Sequence, residues 1–99
     1  MKLKISKKGL EDIEGIWLYT VKNWSVEQAD RYYNSIFSEI DYLLENPASG
    51  KDYDHLRQNY RCSKIKNHLI FYRVTGKNDV LEIIRVLHQR MDFDSRLDE

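Results

Sequence analysis

The strongest constraint on the fold is a change in hydrophobic period near the middle of the chain. From residue 8 to residue 46, apolar side chains recur every three or four positions, whereas residues 60–88 form runs rich in β-branched and aromatic side chains. The first pattern predicts amphipathic helices and the second predicts strands. A chain of 99 residues has room for one core. We therefore expect a single α+β domain over residues 1–99, with two helices packed on a small antiparallel sheet.

The predicted helices form a hairpin. The first runs from Lys8 to Trp24, and a capping box that begins at Ser25 starts the second, which stops at Asn46-Pro47. One or two linking residues favour an antiparallel arrangement. Gly15 interrupts the first helix at a cost of up to about 1 kcal/mol relative to alanine, which predicts that another element packs closely there. Trp24, like the other helical aromatics, fits either the core or a partner groove.

A short first strand and three later strands complete the predicted element order. Residues 2–6 alternate lysines with apolar side chains, which suits a lysine-protected edge strand. Turns at residues 66–67 and 76–79 separate the later strands from one another. These later strands are Tyr60–Ile65, His68–Thr75 and Val80–His88.

The two turns set a pairing register for the later strands. The helices can cover one face of the resulting sheet, which leaves an apolar patch on the other face, and such a patch marks a partner site. The predicted opposite pairs are Arg61 with Tyr72, Arg73 with Glu82, and Arg85 with Ile70. The predicted patch consists of Leu69, Phe71, Ile84 and Val86.

Net charge is zero over the whole chain but not along it. Residues 10–46 hold eight acidic and two basic side chains, for −6, whereas residues 57–90 hold eight basic and two acidic side chains, for +6. The zero total argues against strong, non-specific binding of nucleic acid by the whole molecule. The split itself fits two interpretations, an ordinary solvated surface or a basic sheet that meets an acidic partner.

Several classes of protein are not expected from this sequence. It has no apolar run near 18 residues and no secretory leader, so we expect a cytoplasmic protein without a membrane span. The single Cys62 excludes an internal disulfide and a cysteine-built zinc site. His55, His68 and His88 lack helical or hairpin ligand spacing, so neither a metal site nor a cofactor is expected.

One cluster of side chains could support catalysis. Arginines around a histidine can bind a phosphodiester, stabilise its transition-state charge and protonate a leaving oxygen. A structural interpretation fits the same residues equally well, with cross-strand ion pairing, stacking on an aromatic ring and capping of the sheet end. The members of the cluster are Arg61, Arg73, Arg85, His88 and Arg90.

Six short motifs, in order along nearly the whole chain, carry a family resemblance. They are Ile16-Trp17-x-Tyr19, Trp24-Ser25-x-x-Gln28-Ala29-x-x-Tyr32, Pro47-x-x-Gly50, Leu56-Arg57-x-x-Tyr60-Arg61, His68-x-Ile70-x-Tyr72-Arg73, and Arg85-Val86-Leu87-His88-x-Arg90-Met91-Asp92. Together they resemble the ParE toxins of the RelE/ParE superfamily. The fold of that family, two helices on a small antiparallel sheet, agrees with the pattern described above.

The resemblance implies the toxin of a type II toxin–antitoxin system, held inactive by a ParD-like antitoxin. ParE-like toxins poison DNA gyrase without being nucleases, and contact nucleic acid only through the target or the antitoxin. RelE-like relatives instead cleave mRNA on the ribosome, which is the alternative here, with Arg61, Arg73, Arg85 and His88 as its catalytic set. The ending from His88 to Asp92 matches the ParE branch. The same arginines, with His88, Arg90 and the apolar patch, are the expected contacts to target or antitoxin.

Overall fold

The computed structural model describes residues 1–97 and confirms the predicted α+β class. A two-residue strand and a five-residue helix are additional to the prediction, because elements this short have no periodic sequence signal. The elements in chain order are β1 (Lys2–Ile5), α1 (Lys7–Asn23), α2 (Val26–Glu45), β2 (Lys51–Asp52), β3 (Arg61–Ile65), β4 (His68–Thr75), β5 (Val80–His88) and α3 (Phe93–Leu97).

The five strands form one sheet in the order β1-β5-β4-β3-β2. Strands β3 to β5 pair antiparallel, as expected, and the additional β2 pairs antiparallel with β3, whereas β1 joins the edge of the sheet parallel to β5. The lysines of β1 therefore lie on an edge strand, as predicted. Within the described residues, no helix combines the length and the apolar character needed to cross a membrane.

Both long helices begin at a serine cap. The Ser6 hydroxyl accepts the backbone N–H of Gly9, and the Ser25 hydroxyl accepts that of Gln28, which confirms Ser25 as the N-cap of α2. Helix α2 ends at Glu45, before Pro47, as the sequence predicts. The buried stripes of the hairpin then pack on one sheet face to form the main core. This core holds Ile13, Ile36, Ile40, Leu43, Ile70, Tyr72, Leu81, Ile83 and Val86.

A one-residue irregularity in β5 corrects the predicted register. Tyr72 lies opposite Ile83, but Phe71 lies opposite Arg85, so Ile84 is an extra residue on β5. The pairs formed by Arg61 with Tyr72 and by Arg73 with Glu82 are confirmed. The pairing of Arg85 with Ile70 is wrong, because the extra residue shifts the pairing of every later residue of β5 by one position.

The second sheet face is also covered, so the predicted open apolar patch is wrong. Phe71 is fully buried, and Val86, moved by the irregularity, belongs to the main core. Leu69 packs half-buried against the second core, and Ile84 is half-buried in β5. The segment between β2 and β3 and the helix α3 supply the cover that the sequence analysis did not foresee. The second core comprises Cys62, Phe71, Leu87 and Leu97, flanked by Tyr53, Leu56, Tyr60, Leu69 and Phe93.

Candidate functional site

Of the predicted cluster, Arg90 contacts His88 through its backbone N–H, whereas Arg61, Arg73 and Arg85 are held by other groups. Arg61 donates from Nη1 to the carbonyl oxygens of Gly50 at 2.8 Å and Ala48 at 3.3 Å. Arg73 forms a cross-strand ion pair with Glu82, with Nε to Oε1 at 2.9 Å, which confirms the structural interpretation of that residue. Each of these arginines is therefore tied to a different part of the fold.

Arg85 is a buried structural residue that joins three elements. Its Nε and Nη2 donate to the two carboxylate oxygens of Asp12 on α1, at 2.7 and 2.9 Å. Its Nη1 donates to the backbone oxygen of Arg96 in α3 at 2.9 Å, and the same Asp12 carboxylate accepts the backbone N–H of Val86 at 3.0 Å. Beyond the end of β1, the edge of β5 has no neighbouring strand within residues 1–97 to accept its backbone N–H groups, and the Asp12 carboxylate accepts the N–H of Val86 in place of a strand carbonyl.

The strand irregularity places His88 opposite His68. The two imidazole rings lie edge to face, with 5.3 Å between their centroids and an interplanar angle of 83°. The expectation that no two histidines have hairpin spacing is therefore wrong for this pair, because it was based on the unshifted register. Within residues 1–97, no three His, Cys, Asp or Glu side chains come together as a metal-binding group.

The histidine pair lies in the wall of a groove between the helical hairpin and one end of the sheet. The groove has a volume of about 980 Å³. Tyr19, Trp24 and Met91 in its lining are 61%, 60% and 40% exposed, which is unusual for large apolar side chains that lie together. Its lining comprises Glu11, Asp12, Gly15, Ile16, Tyr19, Thr20, Trp24, Gln28, Arg31, Tyr32, Lys66, Asn67, His68, Val86, His88 and Met91.

A hydrogen-bond network fixes the orientation of both imidazoles. Tyr32 Oη lies 2.6 Å from Nδ1 of His68 and 3.2 Å from the carbonyl oxygen of Ile65. Because that carbonyl can only accept, the network is satisfied when Tyr32 donates to Ile65 and Nδ1–H of His68 donates to Tyr32. Nδ1 of His88 accepts the backbone N–H of Arg90 at 3.2 Å. The remaining Nε2 atoms then offer one acceptor, on His68, and one donor, on His88.

Burial makes His68 an uncharged group at neutral pH. Loss of solvent contact, with a smaller contribution from the neighbouring His88, lowers the pKa of His68 from 6.5 to about 4, and the Asp12 carboxylate opposes this shift. Burial also raises the pKa of the Tyr32 hydroxyl, and a hydrogen bond from the backbone of Asn67 offsets part of this rise. His68 is therefore suited to hydrogen bonding with an uncharged polar group rather than to clamping a phosphate.

The lowered pKa of His68 predicts a loss of stability in acid. The unfolded chain takes up this proton below about pH 6.5, whereas the folded chain does so only near pH 4. The free energy of unfolding should therefore fall as the pH is lowered from 6.5 to 4. His68→Asn, which retains a donor for Tyr32, should flatten this fall in urea titrations, whereas His55→Asn on the exposed loop should not. Equal slopes for both variants would contradict the assignment.

Comparison with known proteins agrees with the fold and the motifs. A family model described as the ParE toxin of the type II toxin–antitoxin system parDE matches residues 3–93. The chain belongs to the ParE toxin family. Toxin ParE1 of Mycobacterium tuberculosis is 41% identical over 85 residues, which cover 86% of each chain. Toxin ParE1 of Caulobacter vibrioides is 36% identical over 94 residues, which cover 95% of each chain.

A solved structure shows the same fold as this ParE-family chain. The chain from the chromosomal ParDE TA system of P. aeruginosa aligns with a TM-score of 0.76 and 22% identity, over 89% of this chain and 95% of that one. Sequence reasoning identified the family but not the groove in this ParE-family protein. It missed His68 and Gly15 as groove residues, whereas Tyr32 and Trp24 belong to the helical aromatics that were expected in either the core or a groove.

Proposed function

We propose that this chain is the toxin of a type II toxin–antitoxin pair, working as one domain over residues 1–99 in the cytoplasm. We further propose that a ParD-like antitoxin neutralises it and that DNA gyrase is its target. The family match over residues 3–93 carries this proposal. It covers nearly the whole chain, including both helices of the hairpin, strands β2 to β5 and all of β1 except Lys2.

The groove supports binding of an antitoxin segment. Three large apolar side chains are exposed along it, and no other part of residues 1–97 covers them. Exposed aromatic and methionine side chains of this kind are enriched at the centres of protein interfaces. We therefore place the antitoxin contact at the groove and not at the sheet patch expected from the sequence. Of the residues expected to contact the partner, the groove lining includes His88 but neither Phe71 nor Arg73.

The separate positions of the arginines favour a gyrase-directed toxin over an mRNA nuclease. A nuclease of this size would need cations that converge on the scissile phosphate beside an acid or base. Arg61, Arg73 and Arg85 instead contact loop carbonyls, Glu82 and Asp12. Of the four residues expected for the nuclease alternative, only His88 lines the groove, where it is half-buried in the same lining as the cations Arg31 and Lys66, so the target has to be tested directly.

Gyrase and mRNA assays on one preparation test the target. We expect the purified chain to inhibit DNA supercoiling by gyrase and to accumulate cleaved DNA complexes, and we expect the antitoxin encoded beside it to reverse both effects. His88→Ala should retain this activity. Untouched gyrase together with codon-positioned mRNA cuts that are lost in His88→Ala would overturn the proposal in favour of the nuclease. Growth unaffected by expression without the antitoxin would reject both.

A further inference from the structure

Gly15 has no structural role that the described part of the chain reveals. A Cβ atom built on it meets no heavy atom of another part of the fold within 4 Å. At each of the other three glycines, the fold itself disfavours a side chain. A Cβ on Gly9 would lie 3.2 Å from the Ile84 carbonyl oxygen, and one on Gly50 would lie 2.7 Å from Cε1 of Tyr72. Gly76 has a φ of +62°, which other residues rarely adopt. The expectation that another element packs closely against Gly15 is therefore wrong.

The missing side chain opens the groove. Gly15 is exposed in the interior of α1, where alanine would be more stable because glycine loses more backbone entropy on forming a helix. Apolar groups from three parts of the chain line the groove with it, namely Ile16, Val86 and Met91. No internal contact requires glycine at position 15, and its missing side chain leaves a gap in the apolar lining of the groove. This gap at Gly15 can receive a group from outside the chain.

The charges of the groove indicate the character of its occupant. Asp12 is neutralised by Arg85, which leaves Glu11 as the other carboxylate of the lining. Arg31 on α2 and Lys66 in the β3–β4 turn are exposed cations of the same lining, and Lys66 Nζ lies 5.4 Å from the centre of the Tyr32 ring. A segment that carries acidic residues beside these cations and apolar residues over α1 complements this surface.

We propose that the gap at Gly15 is a specificity subsite that receives a bulky apolar side chain from the docking segment of the antitoxin, whose acidic residues lie along Arg31 and Lys66. This inference rests on the proposed function, because it takes the antitoxin as the occupant of the groove. Glycine at position 15 makes α1 less stable than a larger residue would. A side chain placed there should therefore raise the stability of the free toxin and lower its affinity for the antitoxin.

Filling the gap gives the decisive experiment. Gly15→Ala should raise the Tm of the free toxin by about 2–6 °C, because alanine is the better helix former. Gly15→Leu should fold at least as stably as wild type, yet bind the purified antitoxin on the order of 10- to 100-fold more weakly by calorimetry, since the subsite is overpacked. Glu14→Ala, an exposed neighbour outside the groove lining, should change affinity less than twofold.

The outcomes separate this inference from the proposed function. No binding of the antitoxin by wild-type toxin would reject the proposed function itself. Tight binding by wild type and Gly15→Leu alike would overturn the subsite and leave the proposed function standing. A lower Tm in Gly15→Leu would show that the fold itself needs glycine there, which also overturns the subsite. A wild-type dimer that Gly15→Leu converts to monomer in sedimentation would assign the gap to a second copy of the chain instead.

Charge reversal tests the second half of the inference. Arg31→Glu should slow association with the antitoxin by about tenfold at low salt, and the difference should shrink as salt is raised. Lys22→Glu is the matched control, because Lys22 is exposed near the end of α1 but does not line the groove. Equal effects of the two reversals would contradict the placement of acidic antitoxin residues along Arg31 and Lys66.

Discussion

Replacing Asp12 with alanine should lower the free energy of unfolding by about 3–5 kcal/mol, the range found when one member of a buried ion pair is removed. The side chains of Arg85 and Asp12 are only 9% and 16% exposed, so water can replace little of what is lost. The change removes both charge-assisted hydrogen bonds from the Arg85 guanidinium and the acceptor of the Val86 N–H. Urea denaturation measures the difference.

Two further variants isolate the ion pair. Glu11→Ala, an exposed neighbour of Asp12, should change the free energy of unfolding by less than about 0.5 kcal/mol. Arg85→Leu combined with Asp12→Ala should recover part of the loss, because the buried charge is removed together with the carboxylate that it contacts. A loss below about 1 kcal/mol for Asp12→Ala would show that the contact is weaker in solution than its geometry implies.

Phe71→Ala should cost about 3–5 kcal/mol of folding free energy and leave the antitoxin affinity of the folded fraction unchanged. Phe71 is fully buried, and its ring centre lies 5.4 Å from that of Tyr53 and 5.3 Å from that of Phe93. Truncation therefore leaves a cavity in the second core. Thermal denaturation gives the loss, and calorimetry with antitoxin at a temperature where the variant is folded gives the affinity.

This prediction distinguishes the two surfaces considered for the partner. If the sheet face that carries Phe71 were open for binding, alanine would lower the affinity for antitoxin and change Tm little. Phe71→Leu serves as the control, because it keeps most of the buried volume and should lose less stability than alanine.

The periodic pattern predicted the fold well because each helix and each later strand is long enough to show its own period. The N-cap at Ser25, the stop before Pro47 and the turn at residues 66–67 fixed the element boundaries through local chemistry. Strand β1 was predicted, but its parallel partner was not, because a four-residue strand carries no signal of which edge it joins.

The candidate site was predicted poorly for one specific reason. A single extra residue at Ile84 changes the face of every side chain from Arg85 to the end of β5, and no residue type in that run marks the irregularity. It buries Arg85 against Asp12, moves Val86 into the main core and places His88 opposite His68. The groove depends on these three outcomes, so it could not be derived from the unshifted register.

The parallel pairing of β1 with β5 has a consequence for the order of events during synthesis. Lys2 pairs with Val80, and the Ser6 hydroxyl donates to the Ile84 carbonyl oxygen across 78 positions of sequence. Contacts between such distant positions are slow to form, because a long loop must close first. During synthesis, β1 therefore has to wait for β5 before it can join the sheet. A nascent chain cannot complete this fold until β5 has emerged from the ribosome, so both helices of the hairpin are synthesised well before the sheet on which they pack is complete.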